Sequence, residues 1–185
     1  LERRGPVAIL RIDRPQALQD RIAPPKKNAA DEDRQAVLIA LNKKTGSVVW
    51  KNREEIFGTM LVLSTAHDIL LMTYQDTRFK LNSERGGRMA AYRASTGRKL
   101  WDIEADYHSR PLLNGRTIYA QPGAWDLVTG KKLPDFTFKR SYGCGTLAGS
   151  RKLLVYRSAT LGYTDLTDDA GTINFGGIRP GCWIN

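Results

Sequence analysis

The sequence predicts an all-β protein assembled from repeated hairpins. Along residues 37–185, short apolar segments rich in Val, Ile, Leu, Tyr and Thr alternate with turns that contain Gly, Asn and Asp. No window of about 12 residues keeps its apolar positions at a helical spacing. A Thr-Gly pair also recurs three times between similar flanking segments. These observations indicate strands joined by one repeated type of turn.

The first part of the chain has a different character, and we interpret residues 1–36 as a linker or an edge segment from a preceding region. Residues 14–36 contain a Pro-Pro pair, a basic pair and an acidic cluster, and their apolar residues follow no period. The chain begins at Leu1 without the apolar stretch of a signal peptide. We therefore expect the interior of a longer protein, for which the missing signal does not report a compartment.

Composition and charge restrict the class of protein. Hydrophobic residues make up 41% of the 185 residues and charged residues 26%, which is typical of a globular domain with a real core. No segment approaches the roughly 20 apolar residues of a membrane span. The formal net charge is +10, but no run of five like charges occurs. Solvated loop charge accounts for this excess, and we expect no nucleic-acid partner.

The repeated unit is a hairpin with a tryptophan on its return strand. It reads ALNKKTGSVVW at residues 40–50, AYRASTGRKLW at residues 91–101 and AWDLVTGKKLP at residues 124–134. Its glycine can adopt the positive φ that a tight turn requires, and the tryptophan then projects from a fixed position toward the next unit. The repeat residues are Ala40, Thr45, Gly46 and Trp50; Ala91, Thr96, Gly97 and Trp101; and Ala124, Asp126, Thr129 and Gly130.

The spacing of the repeats predicts stacked sheets. The three glycines recur at intervals of 51 and 33 residues, and a fourth, degenerate copy is expected with Tyr163 in the position of Trp125. A four-stranded sheet cannot bury both of its faces alone, whereas radially stacked sheets can. We therefore predict part of a β-propeller, built from four-stranded antiparallel blades, with about three to four blades in residues 37–185.

The motif resembles the tryptophan-docking motif A-x-D-x-x-T-G-x-x-x-W of quinoprotein-like propellers. That family includes pyrroloquinoline quinone (PQQ) dependent alcohol dehydrogenases and non-enzymatic outer-membrane assembly propellers. Three positions depart from it, because Asn42 and Arg93 replace the Asp and Pro134 replaces the third Trp. The resemblance implies an incomplete PQQ-like propeller of a bacterial exported protein, in the periplasm or another extracytoplasmic compartment. The remaining blades would come from the parent chain or from other chains.

The resemblance also suggests where a quinone cofactor would bind. Arg179, in the constrained sequence GGIRPG, is the first choice for gripping a carboxylate of PQQ. Trp125 and Trp183 stand outside the docking position and are candidates for lining a pocket. The adjacent cysteines that stack on the quinone in the dehydrogenases are absent, because Cys144 and Cys182 are far apart in sequence.

Two further groups have alternative interpretations. Asp165, Asp168 and Asp169 could hold Ca²⁺ through carboxylate oxygens, or they could form a solvated turn with local backbone hydrogen bonds. Cys144 and Cys182 could form a disulfide in an oxidising compartment, or they could remain two buried thiols.

These candidates leave two hypotheses for function. The first is a non-catalytic propeller that acts as a binding or interaction scaffold for a protein. The alternative is a segment of a PQQ-dependent alcohol or sugar dehydrogenase, with PQQ and calcium as its cofactors. We assign no catalytic residue, because no nucleophile, phosphate-binding or metal-binding motif is recognisable in the sequence.

Overall fold

The computed structural model describes residues 7–12, 36–74, 86–143, 145–168 and 170–181. Within these ranges the chain forms four antiparallel sheets and no helix, so the predicted all-β class is confirmed. We call the sheets blades 1 to 4. Their strands are β1 (Val7–Ile12), β2 (Val37–Asn42) and β3 (Val48–Asn52) in blade 1; β4 (Met60–Ser64), β5 (Ile69–Thr73), β6 (Arg88–Arg93) and β7 (Lys99–Glu104) in blade 2; β8 (Leu112–Asn114), β9 (Thr117–Ala120), β10 (Gly123–Asp126) and β11 (Lys132–Thr137) in blade 3; and β12 (Ala148–Gly149), β13 (Leu153–Ser158), β14 (Thr160–Asp165) and β15 (Thr172–Phe175) in blade 4.

Each blade is a meander in which consecutive strands pair. Blades 2 to 4 have four strands, and blade 1 has three among the described residues, in the order β1-β2-β3. Strand β1 lies within the segment 1–36, and it pairs with β2 from Val7 opposite Asn42 to Ile12 opposite Val37. Among the described strands it therefore forms one edge of the first sheet. The rest of segment 1–36, up to residue 35, lies outside the described residues.

Both faces of blade 2 are buried, because a neighbouring blade covers each of them. In β5, Ile69 and Leu71 belong to the apolar cluster shared with blade 3, whereas Leu70 and Met72 belong to the cluster shared with blade 1. All four side chains are at most 2% exposed. This explains the unbroken apolar segment ILLM, since alternation with polar residues is needed only where one face meets water. Burying each side chain contributes about 1.5–3 kcal/mol.

The repeated hairpins are β2-β3, β6-β7 and β10-β11, and they share one backbone geometry. In each, the glycine N–H donates to the carbonyl of the residue four positions earlier, at 2.8 Å: Gly46 to Asn42, Gly97 to Arg93 and Gly130 to Asp126. The three glycines have φ between +70° and +74°. The pairing shifts by one residue at the same place in the first two hairpins, at Ala40/Leu41 and Ala91/Tyr92, and the third has a larger irregularity between Gly123 and Trp125. The stacking of these sheets is that of part of a β-propeller.

The fourth copy differs from its expected register by one residue. Tyr163 of β14 pairs with Ile173 of β15, as Ala91 pairs with Trp101 in blade 2. Tyr163 therefore occupies the repeat's alanine position, not the position of Trp125, and Ile173 stands where the docking tryptophan would be. The sequence alignment missed this shift, because blade 4 keeps neither the Thr-Gly pair nor the tryptophan.

Candidate functional site

The two repeat tryptophans join consecutive blades. The indole Nε1–H of Trp50 donates to the carbonyl oxygen of Ala94 at 2.9 Å, and that of Trp101 donates to the carbonyl oxygen of Leu127 at 2.9 Å. Each acceptor belongs to the following blade. Both indoles are half-buried, with the ring against protein and the polar edge satisfied, as an amphipathic aromatic side chain requires.

The turn glycines are the surfaces on which these indoles lie. A Cβ added to Gly97 would lie 2.6 Å from a ring atom of Trp50, and one added to Gly130 would lie 2.9 Å from a ring atom of Trp101. Such distances are shorter than any ordinary carbon–carbon contact. Each of the two positions therefore requires glycine for two reasons, namely the left-handed backbone and the close approach of the ring.

Polar side chains close the first and third turns. The Oδ1 atom of Asn42 accepts hydrogen bonds from the backbone N–H groups of Lys44 at 2.9 Å and Thr45 at 3.2 Å. The Oδ1 atom of Asp126 accepts from the Thr129 N–H at 2.8 Å and from its hydroxyl at 2.8 Å. Asn42 can replace the Asp of the motif because the turn needs an acceptor and no charge.

The second turn obtains its acceptor from another hairpin. Arg93 occupies the Asp position and cannot accept a hydrogen bond. Asp68, in the turn between β4 and β5, takes over this role: its Oδ1 accepts from the Ser95 N–H at 2.9 Å and its Oδ2 from the Ser95 hydroxyl at 2.5 Å. The Arg93 Nε lies 4.0 Å from the same carboxylate. Sequence reasoning missed Asp68, and Arg93 in an acceptor position was the signal that a substitute was needed.

The carboxylate of Asp126 is held ionised. The Arg116 Nε–H donates to its Oδ2 at 2.5 Å. This bond, together with the weaker contribution of Thr129, lowers the pKa of Asp126 to about 2. The pKa of Asp165 is also lowered, chiefly because the Thr167 hydroxyl and backbone N–H donate to its Oδ1. Both carboxylates therefore act as turn acceptors.

A surface of like charge follows from the repeated turns. We call it the basic row; it consists of Lys43, Lys44, Arg98, Lys131 and Lys132, all of them exposed. Because Trp50 contacts the second turn and Trp101 contacts the third, the three turns succeed one another along one side of the stacked blades. None of the ion pairs within the described ranges involves a member of the basic row.

A second charged group lies in blade 2 and is internally neutral. Arg88 binds Asp102 with two hydrogen bonds of 2.7 Å, and Lys99 lies 2.9 Å from the Glu55 carboxylate and 3.4 Å from that of Asp102. Arg88 also lies 3.0 Å from Glu55, and its guanidinium lies over the ring of Phe57. The four charged side chains line an open cleft of about 470 Å³.

The electrostatics of this group agree with a structural role. Burial alone would raise the pKa of Asp102, but the hydrogen bonds and charges of Arg88 and Lys99 outweigh it, and the pKa is lowered. The pKa of Lys99 is raised, chiefly by its hydrogen bond to Glu55. All four groups are thus charged and paired with each other. The sequence analysis did not find this group, because its members are spread over residues 55–102.

Two of the three sequence-predicted cofactor residues, Trp125 and Arg179, lie within the described part of the chain. Trp125 is 3% exposed; it packs edge-on against Tyr107 in the cluster between blades 2 and 3. Arg179 is exposed beyond β15. Trp183 lies outside the described residues, as do Cys144 and Cys182. Trp125 thus belongs to the interface of blades 2 and 3, whereas Arg179 follows the last strand of blade 4, and their cofactor roles stay predictions.

The predicted calcium ligands are partly described. Asp165 uses its carboxylate on Thr167, and the Oδ1 of Asp168 accepts from the Ala170 N–H at 3.0 Å. Asp169 lies outside the described residues. Within the ranges that the structure covers, no group of three or more His, Cys, Asp or Glu side chains is close enough together to hold a metal ion. Because Asp169 is one of the three predicted ligands, the calcium site stays a prediction.

Comparison with known proteins supports the fold. No family model matches the sequence, and no curated protein matches it. Among solved structures, BamB from Moraxella catarrhalis is similar with a TM-score of 0.53 and 21% identity, over 73% of this chain and 42% of that chain. The quinohemoprotein alcohol dehydrogenase ADHIIG from Pseudomonas putida HK5 is similar with a TM-score of 0.43 and 14% identity, over 69% of this chain and 25% of that chain. A europium-containing methanol dehydrogenase is similar with a TM-score of 0.41 and 13% identity, over 69% of this chain and 32% of that chain.

The similarity to BamB, a β-propeller, confirms the propeller fold that the repeats predict. The described blades are part of such a propeller, and the chain matches less than half of the length of BamB. The two dehydrogenases are too distant in structure to add to this assignment. Across the described ranges, no helix has the length and hydrophobicity that crossing a membrane requires.

Proposed function

We propose that this chain is a non-catalytic β-propeller module that serves as a binding scaffold for a protein with an acidic surface. The observation that carries the proposal is the basic row, in which three successive turns present exposed Lys and Arg side chains. We also propose a periplasmic or other extracytoplasmic location, which rests on the family resemblance of the repeat motif alone.

The docked blades would present this charge rigidly. Each turn is closed by a backbone hydrogen bond from its glycine, and the second and third turns are also covered by an indole of the preceding blade. A surface that is ordered before binding loses little conformational entropy when a partner arrives. Exposed cations then mainly raise the association rate and select partners of opposite charge. Binding through the basic row should therefore weaken as salt is added.

A charge-matched pair of variants tests the proposal. One carries Lys44→Gln, Arg98→Gln and Lys131→Gln in the basic row, and the control carries Lys51→Gln, Arg53→Gln and Lys139→Gln outside it. Both lose three positive charges. Binding of fluorescent poly-L-glutamate is followed by anisotropy at low and at physiological salt. At about 0.5 kcal/mol for each exposed charge pair, the first variant should bind about tenfold more weakly and the control much less so.

Two outcomes would contradict this assignment. Equal losses in both variants would mean that only net charge matters. A duplex DNA probe that depends on the basic row while poly-L-glutamate does not would point to a nucleic-acid partner.

The dehydrogenase alternative is tested on the same sample. PQQ is titrated with and without Ca²⁺ into this chain and into the longest polypeptide that contains it, and tryptophan fluorescence is followed. Saturable, calcium-dependent quenching would support a cofactor site that includes Arg179, Trp183 or Asp169 and would contradict the non-catalytic proposal. Absence of binding by the longer polypeptide supports the scaffold.

A further inference from the structure

Blades 2 to 4 each have two turns at the end that carries the basic row. One is the repeat turn, between the third and fourth strands, which blade 4 keeps in a degenerate form after β14. The other, which we call the leading turn, joins the first strand to the second at residues 65–68, 115–116 and 150–152. Because consecutive strands are antiparallel, both turns lie at the same end of the blade, two strand spacings or about 10 Å apart.

One backbone hydrogen bond joins the two turns in each of these blades. The N–H of the residue that follows the third strand donates to a carbonyl of the leading turn: Ala94 to Asp68 at 2.9 Å, Leu127 to Arg116 at 2.8 Å and Leu166 to Lys152 at 2.8 Å. Asp68, Arg116 and Lys152 thus occupy equivalent positions in successive blades. The leading turns therefore belong to the same charged surface as the basic row.

The basic row stops at blade 3, because the corresponding turn of blade 4 is acidic. Asp165 ends β14, and Asp168 follows in the turn. The pKa of Asp165 is lowered chiefly by the hydrogen bonds from Thr167, and the nearby charge of Lys152 adds a smaller effect. This carboxylate is therefore ionised at neutral pH, and the turn repels an acidic partner.

Blade 4 carries its exposed cations on the leading turn instead. Arg151 and Lys152 are both exposed, and neither forms an ion pair with another described residue. The equivalent positions of the other blades offer no such charge, because Asp68 is acidic and Arg116 is held by Asp126 at 2.5 Å. Blade 4 thus reverses the arrangement of its neighbours, with its cations on the leading turn and its carboxylates on the other.

We propose that one flexible acidic segment of a partner protein binds across all four blades. It follows the repeat turns of blades 1 to 3 and then crosses to Arg151 and Lys152 on the leading turn of blade 4. This inference rests on the proposed function and specifies its partner. The carboxylates of Asp165 and Asp168 direct the segment to the leading turn, because a straight path along the repeat turns would bring like charges together.

The length of this path sets the size of the segment. Neighbouring sheets pack about 10 Å apart, so three steps between blades and one step across blade 4 make about 40 Å. An extended chain of about 12 residues spans that distance. A flexible segment can follow the bend at blade 4, whereas a straight helix along the repeat turns would continue over the acidic turn.

Two fluorescent oligoglutamates of different length test the path by anisotropy at low salt. One has about 14 residues and spans about 45 Å when extended, and the other has about five and spans about 17 Å. The blade 4 variant carries Arg151→Gln and Lys152→Gln. Its matched control carries Arg53→Gln and Lys139→Gln, two exposed cations that follow β3 and β11 at the opposite end of the blades. Circular dichroism establishes that both variants are folded.

The long probe should be sensitive to both ends of the path. The blade 4 variant should bind it about fivefold more weakly, because two exposed charge pairs are lost, and the control should lose less than about twofold. Lys43→Gln with Lys44→Gln, in blade 1, should lose a similar factor, and the two losses should multiply when combined, since a single segment then lacks both contacts. The short probe should respond to either variant by less than about twofold, because it still binds elsewhere on the row.

Each failure has a distinct meaning. Equal losses for the short and the long probe would indicate separate local sites and would overturn the single path. A long probe that depends on the basic row but not on Arg151 and Lys152 would overturn the path over blade 4 and leave the proposed function standing. A long probe that depends on neither would contradict the proposed function itself. Tighter binding of a helical peptide with the same number of glutamates would overturn the flexible segment in favour of a rigid partner.

Discussion

Replacing Gly97 with Ala should destabilise the protein more than replacing Gly46 with Ala, although the two glycines occupy the same position in the same turn. Their φ angles are +74° and +70°. Either alanine therefore carries the cost of a left-handed backbone, which is about 1–2 kcal/mol. Only at Gly97 does the new methyl group also meet the ring of Trp50, at 2.6 Å.

The difference between the two variants isolates the docking contact. Because an aromatic ring in a packed interface cannot bend away, the added methyl group must move the indole or the turn. Overpacking of this kind costs about 1–3 kcal/mol. We therefore expect Gly46→Ala to lose about 1–2 kcal/mol and Gly97→Ala about 2–5 kcal/mol of unfolding free energy.

Urea unfolding followed by circular dichroism measures both values.

A second background supplies the control. In Trp50→Ala protein the ring is absent, so Gly97→Ala should cost no more than Gly46→Ala, and the double-mutant cycle gives the coupling between the two residues. Equal costs for the two glycine variants in the wild-type background would refute the docking explanation. The same holds if the coupling between Trp50 and Gly97 is zero.

Three other predictions follow from single contacts. Trp101→Phe keeps a ring on the next blade but leaves the Leu127 carbonyl without its donor. It should lower the unfolding free energy by about 1 kcal/mol in urea titrations. An unchanged value would show that this hydrogen bond does not contribute to stability. Asp68→Ala removes the acceptor of the Ser95 N–H and hydroxyl and should lower the unfolding free energy by about 1–2 kcal/mol. A variant with the same thermal unfolding midpoint as the wild type would contradict this role. The pKa of Asp126 is about 2 in the folded chain against an ordinary 3.8. The ionised carboxylate therefore contributes its full share of the unfolding free energy above pH 4, and this share is lost as the pH falls toward 2. Asp126→Asn should reduce that acid-dependent loss by about 1 kcal/mol, a figure lowered for solvent screening; parallel pH profiles for the two proteins would speak against it.

The repeated hairpins could be predicted because their determinants are local. A Thr-Gly pair, an acceptor three residues before the threonine and a tryptophan four residues after the glycine define a turn and a projecting ring within eleven residues. The structure adds what the ring contacts, namely the glycine of the next turn.

Contacts between distant segments could not be predicted in the same way. Asp68 serves a turn that begins 25 residues later, at Arg93, and nothing in its own surroundings indicates this role. Glu55 meets Lys99 only because the turn before β4 and strand β7 belong to one blade. In blade 4 the degenerate motif led us to align Tyr163 with Trp125, and only the pairing of Tyr163 with Ile173 showed that this was wrong by one residue.

The sequence by itself determined the fold class, the repeated turn and the position of each repeat tryptophan. These depend on the backbone freedom of glycine, on side-chain acceptors two or three residues from their donors, and on the alternation of apolar residues, all of which act within one hairpin. The tertiary structure decided which turns are covered, which charges are neutralised and which apolar faces pack against a neighbouring blade. These depend on the side chain that a neighbouring blade brings to each position, and that follows from the stacking of whole sheets.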